Sequence, residues 1–242
     1  MLVVIVAFSG AYNLLVSTVL QHRYPPPGSI YSVDGYAMHL YCTGSGEPTV
    51  VVEEGLGDDF ITWQRVQPEV AGFTRICTYD RRGLGWSEDR PEPHDAKHFA
   101  QQLHALLQAA SSWARRPEAS MRAYARSGLA EWDEFWHSAD QAAEARCCAN
   151  IPVVIVSRDP AWRNPTWDPQ RDARHIAAQP IWNKLQESLK ALSPQSRRIL
   201  AQGSGHHVNI ERPDVLVAAI RQVVNDFRQH KPDTHVGTTI VQ

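Results

Sequence analysis

The chain has 242 residues, 43% of them hydrophobic and 21% charged, which suits a globular protein with a sizeable core. Its net charge of −2 carries no basic footprint for nucleic acid. The four cysteines (Cys42, Cys77, Cys147 and Cys148) form no C-x-x-C pair, and no Cys/His grouping has zinc spacing, so neither metal nor cofactor is expected.

Leu2 to Leu20 carry no charge, and about 19 residues are just enough to cross a bilayer as a helix. The run ends at Gln21-His22-Arg23, and Pro25-Pro26-Pro27-Gly28 cannot continue a helix. The basic leader and small-residue cleavage site of a signal peptide are not evident. Residues 1–23 are therefore read as an uncleaved anchor, with the domain over 24–242 expected outside the cytoplasm. A buried core segment is the alternative, because Asn13 and the hydroxyl-bearing residues interrupt the apolar run.

Next, Ser29 to Val33 and Tyr36 to Cys42 alternate around Asp34-Gly35, the pattern of a hairpin. Thr49 to Glu53 reads as a strand ending in the turn Gly55-Leu56-Gly57, and Phe60 to Val70 as a helix. Thr74 to Tyr79 is a further strand, closed by Asp80 and the turn Arg82-Gly83-Leu84-Gly85. Asp95 to Ala110 has helical spacing, with Phe99, Leu103, Leu106 and Leu107 on one face. Residues 111–150 are helix-like and cap-like, without a convincing strand. Ile151 to Ser157 is a continuous apolar run, as in a strand covered on both faces. Trp182 to Leu192 reads as a helix, Arg197 to Ala201 as a strand, and Arg212 to Arg228 as a helix opened by Pro213. This alternation predicts an α/β fold with a mostly parallel sheet and flanking helices.

Three segments in order resemble the α/β-hydrolase family. Val50 to Trp63 is similar to its loop after the third strand, where a backbone N–H helps hold an oxyanion; the resemblance places that role first on Leu56, with Gly57 as a second donor. Tyr79 to Glu88 (YDRRGLGWSE) is similar to the D-x-R-G-x-G-x-S turn after the fourth strand, whose role is structural. Gln202 to Asp214 resembles the loop that carries the catalytic histidine, a role that falls on His206 rather than His207. The acid that orients such a histidine follows a late strand, which points to Asp159 first and Asp168 second. The hydrophobic start and PPPG stretch are similar to a membrane-anchored branch of the family.

The family's G-x-S-x-G nucleophile elbow should follow Leu107-Gln108-Ala109-Ala110 closely, but Ser111-Ser112-Trp113 stands there instead. Roughly 50 residues, two central strands among them, are missing relative to the family pattern. Ser45, Ser127 and Ser204 fail the small-residue test of an elbow. Ala7-Phe8-Ser9-Gly10-Ala11 passes it, so Ser9 is a displaced candidate in a stretch that also fits the anchor.

The resemblance implies a serine hydrolase of ester or acyl bonds, and the missing elbow implies impaired catalysis. The alternatives are a non-catalytic, membrane-tethered binding protein, taking a small apolar or ester-type molecule, and an internal-deletion product. In the family's sheet order the second strand lies beside the fourth, which makes a Cys42–Cys77 disulfide a candidate; two independent buried thiols are the other reading.

Overall fold

The computed structural model describes residues 25–111, 115–116, 124–144, 151–229 and 238–241. The chain divides into two compact units. One comprises the stretch ending at Cys42 together with Val51–Ile61 and Cys77–Ala145; the other comprises Thr43–Val50, Thr62–Ile76 and the chain from Arg146 onward.

The first unit is built on the expected hairpin, β1 (Ser29–Val33) and β2 (Tyr36–Thr43), with Ser29 opposite Leu40 and Val33 opposite Tyr36. Asp34 (φ 49°) and Gly35 (φ 87°) both take left-handed backbone, the geometry of a two-residue turn that matches strand twist. The sheet order is β3-β4-β2-β1-β5, with β3 at Val50–Val51, β4 at Ile76–Tyr79 and β5 at Arg115–Arg116. Cys42 of β2 and Cys77 of β4 form a disulfide, with their Cα atoms 4.0 Å apart. The adjacency implied by the resemblance is thus found.

Helix α2 (Ala96–Ser111) covers this sheet. Its Leu106 is fully buried among Tyr31, Val33, Met38, Leu40, Cys77 and Tyr79, with Leu103, Ala109 and Ala110 packed against them. Asp95 caps the helix by accepting the amide of His98 at 3.0 Å. Helices α3 (Tyr124–Asp133) and α4 (Phe135–Glu144) occupy the cap-like stretch. That stretch also holds a strand, contrary to expectation: β5 pairs antiparallel with β1 at Tyr31–Arg115 and Ile30–Arg116.

The helix expected over Phe60 to Val70 is broken. A 3-10 turn spans Phe60–Trp63, and α1 (Gln67–Ala71) begins anew with a proline in its first turn. Pro68 has no N–H to continue a ladder from the preceding turn, so it starts a helix more readily than it extends one.

In the second unit β6 (Val153–Arg158), β7 (Ser196–Ala201) and β8 (Thr238–Val241) form a parallel sheet in that order. Ile199, Ala201, Val215 and Ala219 make its core, with Val154, Val156 and Val208 packed against them. Helix α5 (Pro169–Ser188) starts well before the expected Trp182 and runs into a 3-10 turn at Leu189–Leu192. Short α6 (Val208–Glu211) and long α7 (Pro213–Gln229) complete the unit.

β3 and β6 are each the terminal strand of their sheet. The apolar run of β6, expected to be covered on both faces, is only half-buried outside Ile155 and Ser157. No helix among the described residues is long and apolar enough to cross a membrane. Leu2 to Leu20, and Ser9 within it, lie outside the described residues.

Candidate functional site

The turn after β4 is organised by one carboxylate. Asp80, fully buried, accepts from the amide of Phe60 (3.0 Å), the amide of Trp86 (2.9 Å) and Nδ1 of His39 (2.7 Å). The other ring nitrogen of His39 meets the carbonyl of Pro27 at 2.6 Å. Ser87 closes the turn by donating to the Asp80 carbonyl (2.6 Å) and accepting the His39 amide (3.0 Å). Gly85 has φ 47°, and a Cβ there would lie 2.2 Å from an Asp80 carboxylate oxygen, so only glycine fits. The D-x-R-G-x-G-x-S segment therefore works as a knot that fixes loops by hydrogen bonds.

Next to this knot stands Arg81. Its Nη1 donates to Glu53 Oε1 (2.9 Å) and to the Glu54 carbonyl (2.7 Å), and its Nη2 to the Gly55 carbonyl (2.5 Å). The remaining edge of the guanidinium grips Glu131 of α3, with Nε–Oε1 at 2.7 Å and Nη2–Oε2 at 2.8 Å. All five donors are used. Burial opposes the charge of Arg81, but bonding to Glu131 and Glu53 outweighs it and holds the pKa above the ordinary arginine value. Burial, then the neighbouring Glu53 that accepts its hydroxyl, pushes the Tyr79 phenol above its usual range.

The candidate oxyanion residues sit against the same carboxylate. The Gly57 amide, the second of the two expected oxyanion donors, donates to Glu131 Oε2 at 2.7 Å and is already bonded. Leu56 is exposed and lines a pocket of about 170 Å³ with Arg81, His94, Phe99, Glu131 and Phe135. Sequence reasoning missed Arg81 and Glu131: Arg81 holds an unspecified position of its motif, and Glu131 lies 74 residues from Gly57.

In the second unit Asp159 follows β6, and His206 lies in the loop after the neighbouring β7. The two loops are joined: the Asp159 amide donates to the Ser204 carbonyl (2.9 Å), and Asp159 Oδ2 accepts from the Gly203 amide (2.9 Å). Asp159 Oδ1 accepts from the Ala161 amide at 2.7 Å, so both carboxylate oxygens bind backbone. No hydrogen bond joins Asp159 to His206, whose exposed ring packs edge-on against His207 at 4.8 Å. Asp168, the second acid candidate, caps α5 by accepting the Arg171 amide at 2.8 Å.

None of the described candidate serines lies on an elbow. Ser127 is inside helix α3, its buried hydroxyl without a hydrogen-bond partner and pressed on Gly83. Ser204 is buried in the turn after β7, and Ser45 is exposed in the turn after β2. Among the described residues, no group of three or more His, Cys, Asp or Glu side chains could hold a metal.

This arrangement of strands and loops is the α/β-hydrolase fold. The epoxide hydrolase from an endophytic Streptomyces superposes with a TM-score of 0.63 at 12% identity, over 89% of this chain and 99% of that one. The enol-lactonase from Burkholderia xenovorans LB400 does so with a TM-score of 0.57 at 15% identity, over 81% of this chain and 99% of that one. Among curated proteins, the uncharacterized protein YqjL of Bacillus subtilis is 24% identical over 239 aligned positions, covering 80% of this chain and 90% of YqjL. Four-fifths of 242 residues is about 194, so about 45 of those positions face a gap in this chain. The probable oxidoreductase EphD of Mycobacterium tuberculosis is 38% identical over 80 residues, 31% of this chain but only 13% of EphD. No protein-family model matches the chain.

Proposed function

We propose that the chain is a relative of serine hydrolases of ester or acyl bonds that does not itself turn such substrates over efficiently. His206 and Asp159 stand as remnants of the base and acid positions, and Leu56 and Gly57 of the oxyanion loop. The observation that carries the proposal is the 2.7 Å bond from the Gly57 amide to Glu131, which occupies one of the two expected oxyanion donors. A donor already bonded to a carboxylate offers little to a developing oxyanion, and that interaction is usually a large share of acyl-transfer catalysis. Without a nucleophile, the remaining parts of a triad supply only weak residual catalysis.

Under this reading the protein acts by binding, holding a small apolar or ester-type molecule, and is tethered to a membrane through residues 2–20. The internal-deletion reading gains support from the positions that YqjL has and this chain lacks. It requires failure to fold cooperatively, whereas a binding role requires a cooperative transition. For catalysis, the test is hydrolysis of p-nitrophenyl acetate and butyrate by the full chain and by His206→Ala. Both proteins are expected at the uncatalysed background. Turnover by the parent that His206→Ala abolishes would overturn the proposal.

A further inference from the structure

Three of the five Arg81 donors are held by Glu53, Glu54 and Gly55, all in the loop that follows β3. That grip is independent of Glu131. It orients the other edge of the guanidinium, Nε and Nη2, as a fork matching the two oxygens of a carboxylate. The Gly57 amide supplies a third donor to the same oxygen that Nη2 binds. The carboxylate filling this receptor is the chain's own, carried on α3 and 2% exposed. Beside it lies the pocket whose apolar walls are Leu56, Phe99 and Phe135.

We propose that the Arg81 fork and the Gly57 amide form a receptor for a small monocarboxylate with a short apolar tail, and that Glu131 occupies it as a tethered internal ligand. The ligand's carboxylate takes the three bonds now made by Glu131, and its tail lies along Leu56, Phe99 and Phe135. A tethered competitor acts at a high effective concentration, so the parent protein binds such ligands weakly until α3 withdraws. The receptor stands on these donors alone and holds whether or not any serine reacts, so its failure and that of the hydrolase reading are separable.

The test uses the full chain with Glu131→Ala, with butyrate as probe and butyramide as the neutral control. Glu131→Ala is expected to melt below the parent and to be restabilised by butyrate in a saturable manner, since a ligand of the folded state raises stability by mass action. The apparent Kd for butyrate should be at least ten-fold lower in the variant than in the parent, and butyramide should do nothing. Equal shifts in parent and variant, or none in the variant, would overturn the proposal. Should Glu131→Ala not fold, Glu131→Gln keeps the side-chain volume. Its Gly57 amide resonance is then expected to move with butyrate at ten-fold lower concentration than in the parent, and an unmoved resonance overturns the proposal equally.

Discussion

Asp80 Oδ2 lies 2.7 Å from Nδ1 of His39, with both side chains fully buried. The pair joins β2 to the turn after β4, and the same carboxylate also holds two loop amides. Removing Asp80 leaves the His39 ring nitrogen and two loop amides without their acceptor, and a buried polar group so orphaned costs about 1–3 kcal/mol. Asp80→Ala is therefore expected to lower unfolding free energy by about 2 kcal/mol or more in urea denaturation. A loss below 1 kcal/mol would contradict the assigned role.

The Cys42–Cys77 bridge closes 35 residues of chain across neighbouring strands. Peptide mapping without reduction should recover the two cysteine peptides linked, and Cys42→Ser/Cys77→Ser should lose about 2–4 kcal/mol. Four free thiols in the denatured, unreduced protein would refute the bridge.

His94 titrates below the ordinary histidine value, chiefly through burial and then through the Arg82 guanidinium, with Asp89 and Glu131 pulling the other way. Its Nδ1 lies 3.1 Å from Arg82 Nη2 and accepts from it. A lowered folded pKa means that the unfolded chain binds the proton more readily. The stabilisation is complete above the ordinary pKa of 6.5 and is lost as pH falls from there through the folded pKa. His94→Gln should flatten the decline in melting temperature between pH 7.5 and 5; an unchanged slope would show that His94 does not carry it.

Asp168→Ala tests cap against catalyst. Loss of an exposed N-cap is expected to cost about 0.5–1 kcal/mol while leaving any ligand binding untouched. A loss of function without a loss of stability would return Asp168 to the acid position.

Local chemistry explains which parts of the fold were legible in the sequence. The β1–β2 hairpin announced itself through Asp34-Gly35, and the Asp80 knot through its spaced glycines. The disulfide needed the sheet order that only the family resemblance supplied. Helix α5 exceeds the expected Trp182 to Leu192 because it runs through Pro180, where a proline normally ends a helix, and its start is set by the Asp168 cap and Pro169. β5 has two residues, too short for any pattern, whereas β8 carries a β-branched Thr-Thr-Ile-Val signal at the end of the chain's sequence. In the first unit the loop bearing Leu56 and Gly57 is legible, and in the second unit the loops bearing Asp159 and His206. The role of Glu131 was not, since nothing local distinguishes a helical glutamate that reaches a distant amide from a solvated one.

Whether the chain holds a working serine nucleophile is read by labelling the full chain with a serine-directed fluorophosphonate, followed by peptide mapping. The expected result is no labelled serine above the level seen in heat-denatured protein. Stoichiometric labelling at Ser9, Ser127 or any other serine, lost on His206→Ala, would contradict the account and restore a working hydrolase.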